Sequence, residues 1–269
     1  MESPSRLLCE EFPNIGLVSQ ESWRKGFQAM MDAPAGANRA GREGKVAFIT
    51  GGTRGVGLAI AQQLADDHHL IVGGSSESAQ EVAQQFPSAE AFVADLTDVG
   101  SIADKIAALE LERLDVLVHS AGVVSHDPVT ETTPAQWQHA FDVNLFAVAE
   151  LTRQLIAPLR ATGGTLVTIN SGAGHHSGVG YGPYATTKFA LRAYTDALRE
   201  EERGKIRVSS IHPGKVDSDM QRQIQKMRGN DYDESIFLRP DSVAKAVRFA
   251  IDATEEAMIE ELTIRPIHS

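Results

Sequence analysis

Short runs of apolar residues alternate with amphipathic stretches along most of the chain. The runs are rich in β-branched residues, and several are apolar at almost every position, which is typical of parallel strands covered on both faces. The strands predicted in this way span residues 46–50, 70–73, 91–94, 116–119, 165–170, 208–212 and 261–264. Because helical patterns separate these runs, the sequence predicts a repeated βα unit and an α/β fold.

Helix starts support this division of the chain. Residues 133–136 (TPAQ) combine an N-cap threonine, a proline at the first helical position and a capping-box glutamine, and residues 239–241 (RPD) open the last helix similarly. A glycine-rich loop directly after the first strand favours an open sheet over an eightfold βα barrel. The prediction is therefore a Rossmann-type doubly wound parallel sheet of about seven strands with helices on both faces.

The first 44 residues stand apart from this pattern. They show no sustained hydrophobic period and end in a small, glycine-rich stretch, so we expect a flexible N-terminal extension over residues 1–44. An alternative start at Met31 and a functional extension both account for it, and composition does not separate them. Residues 45–269 are interpreted as a single domain.

Composition and charge exclude several classes of protein. The 269 residues carry 25 Lys and Arg against 36 Asp and Glu, a formal net charge of −11, which argues against binding to nucleic acid or anionic membranes. The single cysteine, Cys9, excludes a disulfide scaffold and a multi-cysteine zinc site. No apolar run approaches the roughly 20 residues of a membrane span. We expect a cytoplasmic protein without a nucleic-acid or membrane partner.

The loop after the first strand, TGGTRGVG at residues 50–57, is a candidate phosphate site. Glycines let the backbone approach a pyrophosphate, and the helix that follows directs unpaired N–H groups at it. The spacing differs from G-x-G-x-x-G, but the strand before and the helix after favour a dinucleotide site over an ordinary turn. The predicted cofactor contacts are Gly51, Thr53, Arg54, Gly55, Val56 and Gly57.

The end of the second strand bears on which dinucleotide is bound. Enzymes that prefer NAD usually carry an acidic residue there, about 20 residues after the loop, whereas this chain has GGSS at residues 73–76. With no carboxylate to repel a 2′-phosphate, and with Arg54 and Ser75 nearby, NADP(H) fits better than NAD. If Arg54 only faces solvent, the preference is weak.

Tyr184 and Lys188 are candidate catalytic residues at the start of a helical run. Their i, i+4 spacing places the phenol and the ammonium on one helix face. A nearby cation lowers the pKa of a phenol toward the range where it can exchange protons near neutral pH. Tyr181 is a second phenol but has Ala185 at i+4, so we expect it to line a pocket or to pack.

With these motifs in place, the chain resembles the short-chain dehydrogenase/reductase family, in its compact single-domain branch. The family's T-G-x-x-x-G-x-G matches residues 50–57, and its Y-x-x-x-K matches Tyr184 and Lys188. Its catalytic serine, 13 positions before the tyrosine, corresponds to Ser171, and its helix-borne asparagine corresponds to Asn144. The resemblance covers residues 45 to about 266 and implies that residues 45–269 form a dinucleotide-binding and catalytic domain.

Further cofactor contacts are implied by the resemblance. They are Asp95 and Leu96 after the third strand, Ala121 and Gly122 after the fourth, and Pro213, Gly214, Val216 and Ser218 beside the nicotinamide, together with Tyr184 and Lys188. The family's N-N-A-G reads HSAG at residues 119–122, so both amides and their stabilising hydrogen bonds are expected to be lost. The segment over residues 220–238 is expected to close over substrate, with Met220, Ile224 and Phe237 as specificity candidates, although an ordinary surface connection also accounts for it.

The implied activity is an NADP(H)-dependent interconversion of a carbonyl and an alcohol. Hydride transfer would be accompanied by proton donation from Tyr184, with Ser171 bonding the carbonyl oxygen and Lys188 holding the nicotinamide ribose. By the same resemblance, Asn144 would anchor a water that links Lys188 to solvent. The substrate is a small carbonyl or alcohol whose identity the sequence does not give.

Other readings remain beside this one. A non-catalytic NADP(H)-binding or sensing protein is one alternative, and a sugar-nucleotide epimerase or dehydratase is another, disfavoured by the glycine spacing and the missing C-terminal lobe. No metal is expected, because the pairs His68-His69, in a predicted polar turn, and His175-His176 lack ligands at suitable spacing. The helical stretches around residues 141–159 and 189–198 carry excess apolar surface, so a homodimer or homotetramer is expected by analogy.

Overall fold

Seven parallel strands form one sheet in the structure, a computed structural model that describes residues 44–267. The strands are β1 (Lys45–Thr50), β2 (His68–Gly74), β3 (Ala89–Val93), β4 (Val116–His119), β5 (Thr165–Ile169), β6 (Arg207–Pro213) and β7 (Glu261–Ile264). Their order is β3-β2-β1-β4-β5-β6-β7, so the direction of winding reverses between β1 and β4. In such sheets ligands bind at the carboxyl ends of the strands beside that reversal.

Eight α-helices connect the strands within the described residues. They are α1 (Gly55–Leu64), α2 (Ser78–Ala83), α3 (Ile102–Ala107), α4 (Pro134–Phe141), α5 (Ala147–Arg160), α6 (Gly182–Glu201), α7 (Asp219–Met227) and α8 (Pro240–Ile251). A π-helical turn over Asp142–Phe146 joins α4 to α5, and a short 3₁₀ turn over Gly172–Gly174 precedes α6. None of these helices is long and apolar enough to span a bilayer.

Both faces of the sheet are covered, which explains the nearly continuous apolar runs. On β1, Ala47 and Ile49 face a cluster that includes residues of α1 and α8. Val46 and Phe48 point the other way, into a cluster that includes residues of α3 and α5. Successive side chains on a strand alternate between faces, so a strand covered on both sides is apolar at most of its positions.

The predicted fold class is confirmed, and each of the seven predicted strands is present, with bounds that differ by at most two residues. The capping box at Thr133 is also present, since Thr133 N–H donates to Gln136 Oε1 at 2.9 Å. Pro240 is the first residue of α8, but Arg239 makes no side-chain cap bond. The predicted extension over residues 1–44 lies, except for its last residue, outside the described residues and stays a prediction.

One local prediction was wrong. His68 and His69 were expected in a polar turn, but they begin β2 and are buried. Their rings are hydrogen-bonded, with His68 Nδ1 2.8 Å from Asp67 Oδ1 and His69 Nδ1 2.8 Å from Ser88 Oγ. Polar groups can enter a strand when such partners replace water.

His119, at the end of β4, is a buried polar ring near the middle of the sheet. It is 2 % exposed, and its Nε2 lies 2.9 Å from Thr152 Oγ1 on α5. Burial lowers the pKa of His119 from its ordinary 6.5 to about 3, because the charged imidazolium would lose its hydration. The ring is therefore neutral in the folded protein near pH 7.

This burial predicts a specific dependence of stability on pH. Between its folded and unfolded pKa values, His119 is protonated only in the unfolded chain, so the free energy of unfolding falls as the pH is lowered from about 6.5 toward 3. From about pH 7.5 to about pH 5.5 the loss is about 1.4 kcal/mol. Urea unfolding at both pH values measures the loss of unfolding free energy that the pH change causes. This loss should be smaller in His119→Asn than in the wild type, by about this amount. An identical loss in the two proteins would contradict the assignment.

Candidate active site

The loop between β1 and α1 packs against the turn that follows β4. Gly51 has φ +63°, and a Cβ added there would lie 2.9 Å from the backbone Cα of Ala121. A Cβ on Gly57, in the first turn of α1, would lie 2.1 Å from the carbonyl oxygen of Gly51. Neither position has room for a side chain, so the glycines are required for the loop to close this tightly.

The amino end of α1 suits an anion. Arg54 is its N-cap residue and makes no side-chain cap hydrogen bond, so its own side chain leaves the first-turn amide groups open. Those amides and the positive end of the helix dipole attract phosphate oxygens. The close glycine packing and the uncapped helix start together fit the pyrophosphate of a dinucleotide.

Thr50 ties the β4 turn to this loop. Its Oγ1 accepts hydrogen bonds from the backbone N–H groups of Ser120, at 3.0 Å, and Ala121, at 3.1 Å. The loss of both amides from the family's N-N-A-G was expected to leave stabilising hydrogen bonds missing. In the structure the Thr50 hydroxyl holds this turn, and His119 is anchored on Thr152, so the turn is supported by other groups.

Ser75 and Asp95, two of the predicted cofactor contacts, lie just after β2 and β3. A Cβ on Gly74 would lie 2.8 Å from Thr53 Cγ2, so the end of β2 touches the phosphate loop, and the exposed Ser75 is the next residue. Asp95 Oδ1 accepts from Thr97 N–H at 2.9 Å and from Thr97 Oγ1 at 2.7 Å. These bonds lower the pKa of Asp95 and hold its carboxylate in place.

Arg54 is not free in the structure. Its Nη1 lies 3.5 Å from Asp219 Oδ2 at the start of α7, and both side chains are exposed. An exposed pair of this kind contributes little free energy, so the guanidinium can exchange partners readily. Arg54 is therefore placed beside the phosphate loop, where Asp219 competes for it.

Ser171 follows β5 and caps the 3₁₀ turn before α6. Its Oγ accepts from Ala173 N–H at 3.0 Å, which fixes the rotamer of the hydroxyl group. Asn170, which motif matching did not single out, accepts from Ser171 N–H at 2.8 Å and donates to the carbonyl oxygen of Lys188 at 3.3 Å. This buried amide joins the end of the strand to the helix that carries Tyr184 and Lys188.

Tyr184 and Lys188 lie on the same face of α6, as predicted. Lys188 is buried, its Nζ lies 5.8 Å from the centroid of the Tyr184 ring, and it donates to the carbonyl oxygen of Ile169 at 2.9 Å. Burial lowers the pKa of Lys188 to about 8, because the ammonium is removed from water.

The predicted lowering of the Tyr184 pKa is not what the structure shows. Burial raises the pKa of the Tyr184 phenol above its usual value of 10.0, and interaction with the Ser171 side chain offsets only part of this rise. Desolvation of the phenolate is the largest effect, and the Lys188 ammonium is directed at the backbone of β5. Tyr184 therefore carries its proton at neutral pH.

Asn144 lies in the π-helical turn between α4 and α5, a feature that is frequent at functional sites. Its amide exchanges two hydrogen bonds with the backbone of Val123, at 2.9 and 3.0 Å, and donates to Thr187 Oγ1 at 3.0 Å. A Cβ on Gly122 would lie 3.2 Å from Asn144 Oδ1 and 3.9 Å from Lys188 Nζ. The structure thus brings Asn144, Lys188 and the β4 turn together.

The segment after β6 reaches the phosphate loop. Pro213 ends β6, and Gly214 N–H donates to the carbonyl oxygen of Ile264 on β7 at 2.7 Å. Ser218 caps α7 by accepting from Gln221 N–H at 3.3 Å, and its Oγ donates to the carbonyl oxygen of Val216 at 3.2 Å. A Cβ on Gly55 would lie 3.9 Å from Ser218 Cβ, so the start of α7 lies over the loop.

Arg228, the residue that follows α7, lies near Tyr184 through the ring of Tyr181. Tyr181 has its ring centroid 6.2 Å from that of Tyr184, and it contacts both His126 and Arg228. Ile224 and Phe237, two of the three specificity candidates, are buried. The His126 and Arg228 contacts with Tyr181 were not foreseen, because these residues are 55 and 47 positions away from Tyr181 in the chain.

A second cluster lies behind Ser171. His212 Nδ1 is 3.2 Å from the carbonyl oxygen of Ser171, and possible ligand atoms of His175, His212 and Glu261 lie within 4.8 Å of one another. Arg265 Nη1 lies 3.4 Å from the His212 carbonyl oxygen, and the charge of Arg192 acts on the His212 ring. His175 was expected to lack further ligands, and the structure brings His212 and Glu261 to it from distant parts of the chain. The two nearby guanidinium groups oppose a divalent cation at this cluster.

Three comparisons with known proteins bear on this geometry. The sequence model of the short chain dehydrogenase family matches residues 45–229. An uncharacterized oxidoreductase of Staphylococcus epidermidis is 30% identical over 230 residues, covering 83% of this chain and 97% of the relative. The acetoacetyl-CoA reductase of Cupriavidus necator is 30% identical over 194 residues, covering 68% of this chain and 78% of the relative.

A solved structure agrees with them. The alcohol dehydrogenase of the archaeon Thermococcus sibiricus, complexed with 5-hydroxy-NADP, superposes with a TM-score of 0.74 at 26% identity, over 84% of this chain and 98% of the other. The seven-stranded parallel sheet, with a glycine loop after its first strand, is the fold that the sequence resemblance implied. The chain belongs to the short-chain dehydrogenase/reductase family of oxidoreductases.

Proposed function

We propose that the protein is an NADP(H)-dependent oxidoreductase that interconverts a carbonyl and an alcohol by hydride transfer, with Tyr184 as the general acid/base. One observation carries the proposal. The face of α6 that holds Tyr184 and Lys188 lies against Ser171 and against the β4 turn, which itself lies beside the phosphate loop. A dinucleotide lying across the β1–β4 reversal would end beside these side chains.

The cofactor would be held mainly by backbone and small side chains. The glycine loop and the start of α1 suit the pyrophosphate, and Arg54 and Ser75 are exposed on the side where a 2′-phosphate would lie. The archaeal relative complexed with 5-hydroxy-NADP supports the choice of NADP(H) over NAD. When bound, the cofactor supplies the hydride, which no side chain can provide.

The proton chemistry belongs to Tyr184. Since burial keeps the phenol protonated at neutral pH, it can give its proton to a carbonyl oxygen as the carbonyl carbon gains the hydride. The Ser171 hydroxyl, held by Ala173, would hydrogen-bond the same oxygen as negative charge develops on it. In the opposite direction Tyr184 would take the proton of the alcohol.

Lys188 and Asn144 would support the proton donor. The buried ammonium of Lys188 is held at the end of β5 and would stabilise the phenolate that Tyr184 becomes after donation. Asn144 fixes the loop after β4 against α6 through Val123 and Thr187. The side-chain amide of Asn144 is already bonded to Val123 and Thr187. The water that Asn144 was predicted to anchor stays part of the proposal.

Removing the Tyr184 hydroxyl tests the assignment. Tyr184→Phe should fold and bind NADPH, seen as a change in nucleotide fluorescence, but lose at least about a hundredfold in turnover because the proton donor is gone. NADPH consumption with a panel of ketones, keto-esters and aldehydes measures the loss. Tyr194→Phe, on the same helix but outside the site, is the control and should retain turnover. Normal activity of Tyr184→Phe, or NADPH binding without turnover of any substrate by the wild type, would refute the catalytic proposal.

Cofactor preference is tested separately. The wild type should use NADPH with at least about tenfold higher kcat/KM than NADH, since one charged hydrogen bond to the 2′-phosphate accounts for this factor. Arg54→Gln should reduce kcat/KM for NADPH and leave that for NADH nearly unchanged. Arg153→Gln, an exposed arginine paired with Glu150, is the matched control. Equal or better turnover of the wild type with NADH would overturn the role given to Arg54.

We also propose that the protein is a homodimer or homotetramer. Trp137, Phe141 and Phe146 line a cavity of about 430 Å³ on the surface of α4 and the π-helical turn. Phe146 and Phe189 are each 43% exposed, a large fraction for phenylalanine. An apolar surface of this kind, formed by the helices that the sequence analysis assigned to the interface, supports self-association.

Light scattering after size-exclusion chromatography tests the oligomer. The wild type should elute as a dimer or tetramer, and Phe146→Asp should shift it to a smaller species because a charge in the interface must be desolvated. Val179→Asp, at a side chain that is 91% exposed on a loop, should leave the mass unchanged. A monomeric wild type would refute the proposal.

A further inference from the structure

Arg228 lies just after α7 with its guanidinium over the ring of Tyr181. The guanidinium carbon is 5.0 Å from the ring centroid, and Arg228 Nε donates to His126 Nε2 at 3.2 Å. The Tyr181 ring in turn lies 6.2 Å from that of Tyr184. A positive charge is thereby held on the same wall of the site as the catalytic phenol.

The charge of Arg228 is not balanced by a nearby acid. Within residues 44–267, no carboxylate lies within ion-pair distance of its guanidinium. Asp127, the acid next to His126 in sequence, accepts a hydrogen bond from Gln136. Because the exposed guanidinium is stacked on one face and bonded only to a ring nitrogen of His126, its remaining N–H groups are available to an anion.

Arg222, on the same helix, shows the contrast. It also stacks on a tyrosine, with its guanidinium carbon 4.3 Å from the Tyr232 ring centroid. However, its Nη2 lies 2.7 Å from Asp217 Oδ1, so its charge is neutralised. Two arginines with the same stacking therefore differ in whether they can take a further acid.

The loop after β4 holds the imidazole that positions Arg228. His126 Nε2 accepts from Arg228 Nε–H, while the other ring nitrogen, Nδ1, is buried against Gly180, where an added Cβ would lie 2.3 Å from it. The Nδ1 side of the ring therefore faces the protein, and the donors left for a ligand are the Nη groups of Arg228.

We propose that Arg228, positioned by Tyr181 and His126, binds a carboxylate at the far end of the substrate, so that the protein reduces oxo acids rather than neutral carbonyls. The inference rests on the proposed function, since the reacting carbonyl is placed at Tyr184. The planar fork of the guanidinium suits the two oxygens of a carboxylate. Arg228 contacts Tyr181, and the Tyr181 ring centroid lies 6.2 Å from that of Tyr184. The carboxylate and the reacting carbonyl carbon of the substrate are therefore several bonds apart.

The carboxylate takes no part in the chemistry. The carbonyl carbon gains the hydride, its oxygen gains the Tyr184 proton, and NADPH becomes NADP⁺, while the carboxylate stays ionised and anchored. Its contribution is to orient the substrate, which lowers KM and aligns the carbonyl with Ser171 and Tyr184. Arg228 is thus a specificity residue and not a catalytic one.

The test compares acids with their own esters. The probes are 4-oxobutanoate, 6-oxohexanoate and 8-oxooctanoate, each paired with its methyl ester, and the quantity measured is the ratio of kcat/KM for acid over ester. For the longer pairs the wild type should favour the acid by about tenfold, the value of one charge-assisted hydrogen bond. Arg228→Gln should bring that ratio close to one, mainly through KM, whereas Arg222→Gln should leave it as in the wild type.

A binding measurement keeps this inference separate from the proposed function. Calorimetry with hexanedioate in the presence of NADP⁺ should show binding to the wild type and to Arg222→Gln, and at least about tenfold weaker binding to Arg228→Gln. Hexanedioate binding that depends on Arg228, with no turnover of any probe, would support the anion site and refute the proposed function. Turnover of esters and acids alike, or hexanedioate binding that Arg228→Gln leaves unchanged, would overturn the anion site alone.

Discussion

The structure depends on the close approach of two loops where the direction of winding reverses between β1 and β4. The backbone of Gly51 lies against that of Ala121, and the Thr50 hydroxyl bonds the amides of Ser120 and Ala121. Because the strands are parallel, this contact brings the phosphate loop and the β4 turn to one edge of the sheet. Every other part of the site is positioned relative to that edge.

The surroundings of Tyr184 and Lys188 decide the protonation states of these two proposed reacting groups. Both lie on α6, which packs against the π-helical turn, and Lys188 is buried whereas Tyr184 is half-buried. Desolvation lowers the pKa of the lysine and raises that of the tyrosine, which disfavours the charged form of each. A protonated phenol next to an anchored serine is an arrangement suited to giving a proton to a carbonyl.

Helix α7 connects the two ends of the cleft. Its first residues lie over the phosphate loop, where Asp219 pairs with Arg54. Arg228, just past its last residue, lies over Tyr181, whose ring is next to that of Tyr184. This short helix and the residue after it therefore link the phosphate loop to the proposed catalytic tyrosine, through exposed charged contacts that are individually weak.

The sequence by itself determined the sheet and placed Tyr184 and Lys188 together. Short β-rich runs, several of them apolar at almost every position, predicted every strand to within two residues, because strands covered on both faces are mostly apolar, and the spacing of Tyr184 and Lys188 placed both on one helix face. Only the tertiary structure decided the sign of the Tyr184 pKa shift, the pairing of Arg54 with Asp219, the role of Asn170 and the stacking of Arg228 on Tyr181. These follow from burial and from contacts between distant segments, which local periodicity and spacing do not encode.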